Sequence, residues 1–239
     1  MNSIRINSGS THMVAHRGLS GIEPENTNAA FIAAGNRSYY GIETDVHKTL
    51  DGRFVVIHDD DTARVSNEDL PVEGTDFETL RSLPLLEKDG GSERLDLCIP
   101  TLGEYIATCK RYEKTAVLEL KNAFSAEEIR AICDEIAALG YLQNVIFISF
   151  AFENLMHIRS ICPEQPVQFL TSVYAEDLLQ ILKAHRFDID ILYTELSAER
   201  IAKFHRYGIR VNCWTCDDPE TAQALADAGI DYITSNILE

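Results

Sequence analysis

From residue 102 to residue 235 the chain repeats one rhythm, in which a stretch with apolar residues at helical spacing is followed by a short apolar run. The helical stretches 102–112, 127–139, 153–161, 175–184, 198–207 and 219–228 precede the runs 116–121, 145–150, 167–170, 189–193, 211–214 and 232–235. Such alternation predicts parallel strands, because a strand that returns in the same direction needs a crossover long enough to hold a helix. No glycine-rich dinucleotide pattern and no phosphate-loop lysine follows any of these runs, which leaves a doubly wound nucleotide fold without support. The expectation is an α/β chain forming one TIM (β/α)8-type barrel domain over residues 1–239, with its chemistry at the C-terminal strand ends.

The first hundred residues fit this rhythm less evenly. A strand over 13–16 leads through a loop to Asn26-Thr27-Asn28, whose side chains offer N-caps to the apolar stretch 29–34, and Gly35-Asn36 then disfavours continuation. A second strand covers 41–47 and a third begins at Val55. Asp51-Gly52 between them is a turn signal, and the segment is too short for a parallel crossover, so the two read locally as a hairpin. Adjacent parallel strands would equally bring Glu43 close to His58. Residues 59–100 show no sustained period and are too many for an ordinary loop, so they are expected to form a small inserted lobe after the third strand, with one helix over 77–83.

Lysine and arginine number 21 against 38 acids, a net charge of −17. Such a surface repels nucleic acid and anionic membranes, so an anionic substrate needs a local positive field. No apolar stretch approaches the length of a membrane span, and the N-terminus lacks an apolar signal region, which makes the cytoplasm the expected compartment. The six cysteines lie scattered in apolar stretches as buried thiols, and Cys213-Trp214-Thr215-Cys216 has no second pair to complete a zinc site. A homo-oligomer is compatible with everything above.

The strand-like runs end in residues that a core does not accept unpaired. His16 and Arg17 close the first, Glu43 and Asp45 share one face of the second by period-2 alternation, and His58-Asp59 closes the third. Glu119 and Lys121 share a face of the next strand, and Trp214 ends a later one. Taken singly, an E-x-D pair reads as solvent-facing acid and a lone histidine as a structural residue. Gathered at strand ends of one barrel, they form an inventory for metal-assisted cleavage of an anionic ester. Arg17 and Lys121 are the candidate phosphate cations.

His16-Arg17-Gly18, Pro24-Glu25-Asn26-Thr27, Glu43-x-Asp45, His58-Asp59, Ile99-Pro100-Thr101-Leu102, Leu118-Glu119-Leu120-Lys121 and Trp214-Thr215 together resemble the glycerophosphodiester phosphodiesterases. The resemblance runs in order from residue 14 to 236. It implies a barrel with an inserted lobe that uses a divalent cation to split glycerophosphodiesters into glycerol 3-phosphate and an alcohol. It further implies that Glu43, Asp45 and Glu119 hold the metal, that His16 and His58 are acid and base, and that Arg17, Lys121 and Trp214 bind the substrate, with Glu25 as a further site carboxylate. An oxygen-only ligand set selects a hard cation, Mg2+ or Ca2+. Water and the substrate's own glycerol hydroxyl both fit as attacker. The chain departs from the family at Thr234-Ser235-Asn236-Ile237, where Thr-Asp-x-Pro is usual, and at Asp61-Thr62-Ala63-Arg64-Val65, where Leu-Asp-Arg-Thr-Thr is usual.

Two other readings compete. A lysophospholipase D on the same barrel would want an apolar acyl channel near the lobe, which is acidic and glycine-rich instead. An inactive binding barrel would be expected to have lost site positions, and all are filled.

Overall fold

A computed structural model describes residues 2–239. Its strands are β1 (His12–Ala15), β2 (Gly41–Lys48), β3 (Phe54–Val56), β4 (Thr115–Leu120), β5 (Val145–Ser149), β6 (Val167–Thr171), β7 (Asp188–Leu192), β8 (Val211–Trp214) and β9 (Tyr232–Ser235). All of these except β3 pair in parallel in the order β1-β9-β8-β7-β6-β5-β4-β2, and a further β1–β2 pairing joins the two ends. The result is a closed eight-stranded parallel barrel with helices between strands, a TIM barrel. Among the described residues no helix is long and apolar enough to cross a membrane.

β3 settles the choice between hairpin and parallel pairing. It runs antiparallel to β2, with His47 opposite Val55 and Val46 opposite Val56, around a turn at which Gly52 takes a φ of +80°. β3 therefore stands outside the barrel and hands the chain to the segment before α3 (Leu102–Arg111). In that segment a short 3-10 turn at Val72–Gly74 and a helix α2 (Phe77–Ser82) surround their own apolar cluster, which includes Val72, Phe77, Leu80, Leu83 and Leu85.

Strand alternation explains which side chains enter the barrel. On β4, Ala116, Leu118 and Leu120 join the core beneath the helices, while Val117 and Glu119 point inward; on β2, Ile42 and Val46 face outward and Glu43 and Asp45 inward. The remaining helices are α1 (Asn28–Gly35), α4 (Ala126–Ala138), α5 (Phe152–Ile161), α6 (Leu178–His185), α7 (Ala198–Arg206) and α8 (Pro219–Asp227). Their starts follow their caps: Thr101 with Glu104 and Ser125 with Glu128 form reciprocal capping boxes, and Asp218 caps α8 ahead of Pro219. α6 begins later than its periodicity suggests. Tyr174 and Glu176 bond to each other and Glu176 pairs with Lys203, and the N-cap Asp177 makes no side-chain cap bond.

Candidate active site

The C-terminal ends of β1, β2 and β4 meet the start of the lobe around a cleft of about 330 Å³. One half of the cleft is charged, lined by His16, Arg17, Glu43, His58, Glu119 and Lys121; the other is formed by Ile148, Phe150, Leu170 and Trp214, with Asp190 and Thr234. Of the residues singled out in the sequence, His16, Arg17, Glu43, His58, Glu119, Lys121 and Trp214 line this cleft. Asp45 sits behind the charged wall, and Glu25 lies one step away, in a neighbouring cavity beneath the lobe.

Arg17 and Gly18 turn the chain sharply after β1. Both have positive φ, 55° and 76°, and a Cβ at position 18 would meet the backbone of Ala30 at 2.7 Å, so glycine is required there. The turn aims the Arg17 N–H at Glu43 Oε2, to which it donates at 2.8 Å, and brings the guanidinium to Glu25 at 2.8 Å and Asp45 at 3.6 Å.

Glu43, Asp45 and Glu119 are buried, and each offers an oxygen within 4.8 Å of the others. Asn26 donates to Asp45 Oδ2 at 2.7 Å, Lys121 Nζ lies 2.9 Å from Glu119 Oε1 and 3.6 Å from Asp45 Oδ1, and Asp45 Oδ1 is buried without a hydrogen-bond partner. Burial, with the charges of Asp45 and Glu119, drives Glu43 well above the ordinary carboxylate range. Burial and then Asp45 push Glu119 up to about 7, whereas Arg17 and Lys121 outweigh burial at Asp45 and hold it low. Three buried carboxylates with an orphaned oxygen and insufficient positive charge between them fit a hard divalent cation.

His16 Nδ1 lies 2.8 Å from Asn236 Oδ1, and its Nε2 lies 4.0 Å from Glu43. The orientation of the Asn236 amide follows from Asp217, whose carboxylate accepts from the Asn236 Nδ2 at 2.6 Å and backbone N–H at 2.7 Å, so Oδ1 faces His16 as an acceptor. His16 thus carries its proton on Nδ1 and presents a bare Nε2. Burial, followed by the Arg17 charge, lowers it to about 4.

His58 Nδ1 lies 2.6 Å from Asp59 Oδ1. Asp59 in turn accepts from Arg64 Nε at 2.6 Å, and Arg64 binds both oxygens of Glu25 at 2.9 Å. Despite partial burial, the bonds from Arg64 and His58 pull Asp59 down to about 2, a carboxylate at any neutral pH. Glu25 therefore bridges two arginines, one from the barrel and one from the lobe.

Sequence reasoning did not single out Asn26, Arg64, Asn236, Asp217, Asp190 or Phe150 as site residues. Asp190 had a signal: in Asp188-Ile189-Asp190-Ile191 the alternation that sends isoleucines outward sends aspartates inward. The residue is 1% exposed, its Oδ1 has no partner, and burial then the Glu119 charge raise its carboxyl well above the usual range. Cys213 and Cys216 are buried free thiols.

A family model described as the glycerophosphoryl diester phosphodiesterase family matches residues 16–238. The Bacillus subtilis protein YhdW is 30% identical over 240 residues, covering 94% of each chain. A glycerophosphodiester phosphodiesterase of Caldanaerobacter subterraneus is 28% identical over 95% of this chain and 94% of its own. Among solved structures, an Oleispira antarctica phosphodiesterase in complex with the product sn-glycerol-3-phosphate superposes with a TM-score of 0.87 at 27% identity, covering 98% of this chain and 96% of that one. The chain belongs to the glycerophosphoryl diester phosphodiesterase family.

Proposed function

We propose that this phosphodiesterase adds water across a glycerophosphodiester to give glycerol 3-phosphate and an alcohol, with Glu43, Asp45 and Glu119 holding Mg2+ or Ca2+. The observation that carries the reading is the buried cluster of those three carboxylates, set beside a cleft that also holds two histidines, an arginine and a lysine. When bound, the cation would offset charge on the phosphate oxygens.

The chain's own groups divide the remaining work. Arg17 and Lys121 face the same cleft as the phosphate would, and the Arg17 fork is held by Glu25 behind it. His16, backed by a neutral amide and presenting a bare Nε2, takes the proton from the attacking oxygen. His58, hydrogen-bonded through Nδ1 to the Asp59 carboxylate, gives a proton to the leaving alcohol. Trp214 closes the cleft opposite.

Turnover of a panel of glycerophosphodiesters, with glycerol 3-phosphate as the measured product, tests this directly. We expect release of glycerol 3-phosphate that stops with a chelator and returns with Mg2+ or Ca2+. An enzyme inactive on every member, or one indifferent to chelation, would overturn the proposal.

A further inference from the structure

We propose that Arg64, carried by the inserted lobe, is a positioning residue for the general acid: it clamps Asp59 against Glu25 and so fixes the ring of His58 toward the leaving alcohol. The inference rests on the phosphodiesterase reading above, in which His58 is that acid.

The backbone of His58 and its ring are held by different parts of the molecule. The His58 carbonyl lies 3.2 Å from Nε2 of the buried His47 on β2, so the barrel fixes where the residue sits. The ring is set by Asp59, whose carboxylate accepts from Nδ1 at 2.6 Å. An ionised carboxylate only accepts, so this bond keeps a proton on Nδ1 and leaves Nε2 as the nitrogen that serves the alcohol. Asp59 follows His58 in a bend outside any strand or helix, and its side chain is 31% exposed. A carboxylate so placed turns to water unless a second group holds it.

Arg64 is that group. Its Nε donates to Asp59 Oδ2 at 2.6 Å, which leaves Oδ1 for His58, and its two terminal nitrogens donate to the two oxygens of Glu25 at 2.9 Å. Glu25, in the loop between β1 and α1, is held from the other side by the Arg17 guanidinium at 2.8 Å. The guanidinium of Arg64 thus spans two carboxylates, a reach that its planar fork makes and a single ammonium does not. With the Arg64 side chain 47% exposed, these ion pairs add little to stability, and what they supply is direction.

The lobe is built to present this guanidinium. Arg64 lies in a turn closed by the Thr62 carbonyl, which accepts from the N–H groups of Val65 and Ser66. The buried Thr62 hydroxyl donates to Glu68 O at 2.6 Å and accepts from the Leu70 N–H at 3.0 Å, and Val65 O accepts from the Leu86 N–H at 2.9 Å. Val65 and Leu70 pack against the lobe's own apolar cluster. The lobe's core therefore places the turn, and the turn aims the ring of the acid.

The test separates an effect on the acid from an effect on folding or on phosphate binding. Arg64→Met is assayed with Mg2+ on an alkyl diester, glycerophosphoethanolamine, and on the 4-nitrophenyl ester of glycerol 3-phosphate, whose leaving group needs no proton. We expect kcat on the alkyl ester to fall roughly tenfold or more, short of the roughly 10²–10⁴ that loss of the acid itself costs, with KM within about twofold of native. On the nitrophenyl ester kcat should stay within about twofold of native. In the His58→Ala background the same substitution should change kcat on the alkyl ester by less than about twofold, because the group it positions is gone. Arg64→Lys keeps the charge but reaches one carboxylate at a time, so it should show the same leaving-group pattern with a smaller loss even if Arg64→Met does not fold. Equal losses on the two esters, a loss carried by KM, or a further loss of about tenfold in the His58→Ala background overturns the proposal. A His58→Ala enzyme with native kcat on the alkyl ester refutes the acid assignment and the clamp with it. A His58→Ala enzyme rescued by the nitrophenyl ester, beside an Arg64→Met enzyme that is not, overturns the clamp and leaves the reaction standing.

Discussion

Asp45 and Glu119 face each other directly across the parallel strands β2 and β4, and Lys121 leans between them, 3.6 Å from one and 2.9 Å from the other. That ammonium and the Arg17 guanidinium, which Asp45 shares with Glu25, do not balance three buried carboxylates. Each of Glu43→Ala, Asp45→Ala and Glu119→Ala should therefore lose measurable affinity for Mg2+ and Ca2+ in calorimetric titration. A variant with native affinity would take its residue out of the ligand set.

The same crowding sets a pH dependence. Glu119, raised to about 7, and Glu43, raised well above its ordinary range, hold protons in the folded chain that the unfolded chain releases near 4.5. The folded state thus binds more protons, and without a divalent cation its stability should fall as pH rises from about 4.5 through 7. The cation must displace those protons, so its affinity should rise over the same range by up to about tenfold per pH unit for each proton displaced. Thermal melts at pH 5.5 and 8, with chelator or with Mg2+, check both signs: the stabilisation by Mg2+ should be larger at pH 8. Equal stabilisation at the two pH values would show that these carboxylates are already ionised.

Arg17→Lys should not be conservative. The guanidinium reaches Glu25 and Asp45 from one planar fork while the rest of it faces the cleft, and an ammonium acts as a single point charge. We expect kcat/KM to fall roughly tenfold or more, with the melting temperature little changed. Near-native kcat/KM would make Arg17 a structural residue.

His16→Ala and His58→Ala should each lower kcat by roughly 10²–10⁴ while retaining the cation. Substrates with an acidic leaving group should rescue His58→Ala selectively, because a good leaving group needs no proton, and should leave His16→Ala impaired. Rescue of the His16 variant instead would exchange the two roles. Loss of cation binding from either would place that histidine among the metal ligands.

Much of this arrangement can be read from local rules. Period-2 alternation places Glu43 with Asp45 and Glu119 with Lys121, and the side-chain caps at Ser125 and Asp218 place helix starts. What escapes is what depends on distant chain. His16 meets Asn236 across 220 residues, and nothing near either one announces the contact. Arg64 lies in a stretch without a period, so its link between Asp59 and Glu25 appears only once the lobe is folded against the barrel. Asp190 had its pattern in plain view. An inward aspartate on a barrel strand reads as structural until the apolar residues around it are known.

The pairing of β1 with β9 sets a timetable for synthesis. His16 leaves the ribosome 220 residues ahead of Asn236, which fixes its tautomer, and its strand is flanked on one side by residues 232–235. A nascent chain with the carboxylates, Arg17 and Lys121 already emerged still lacks an oriented His16 until β9 arrives. The enzyme should therefore be unable to act on substrate even when strands β1 to β8 have been translated, and catalysis switches on with barrel closure rather than growing with chain length.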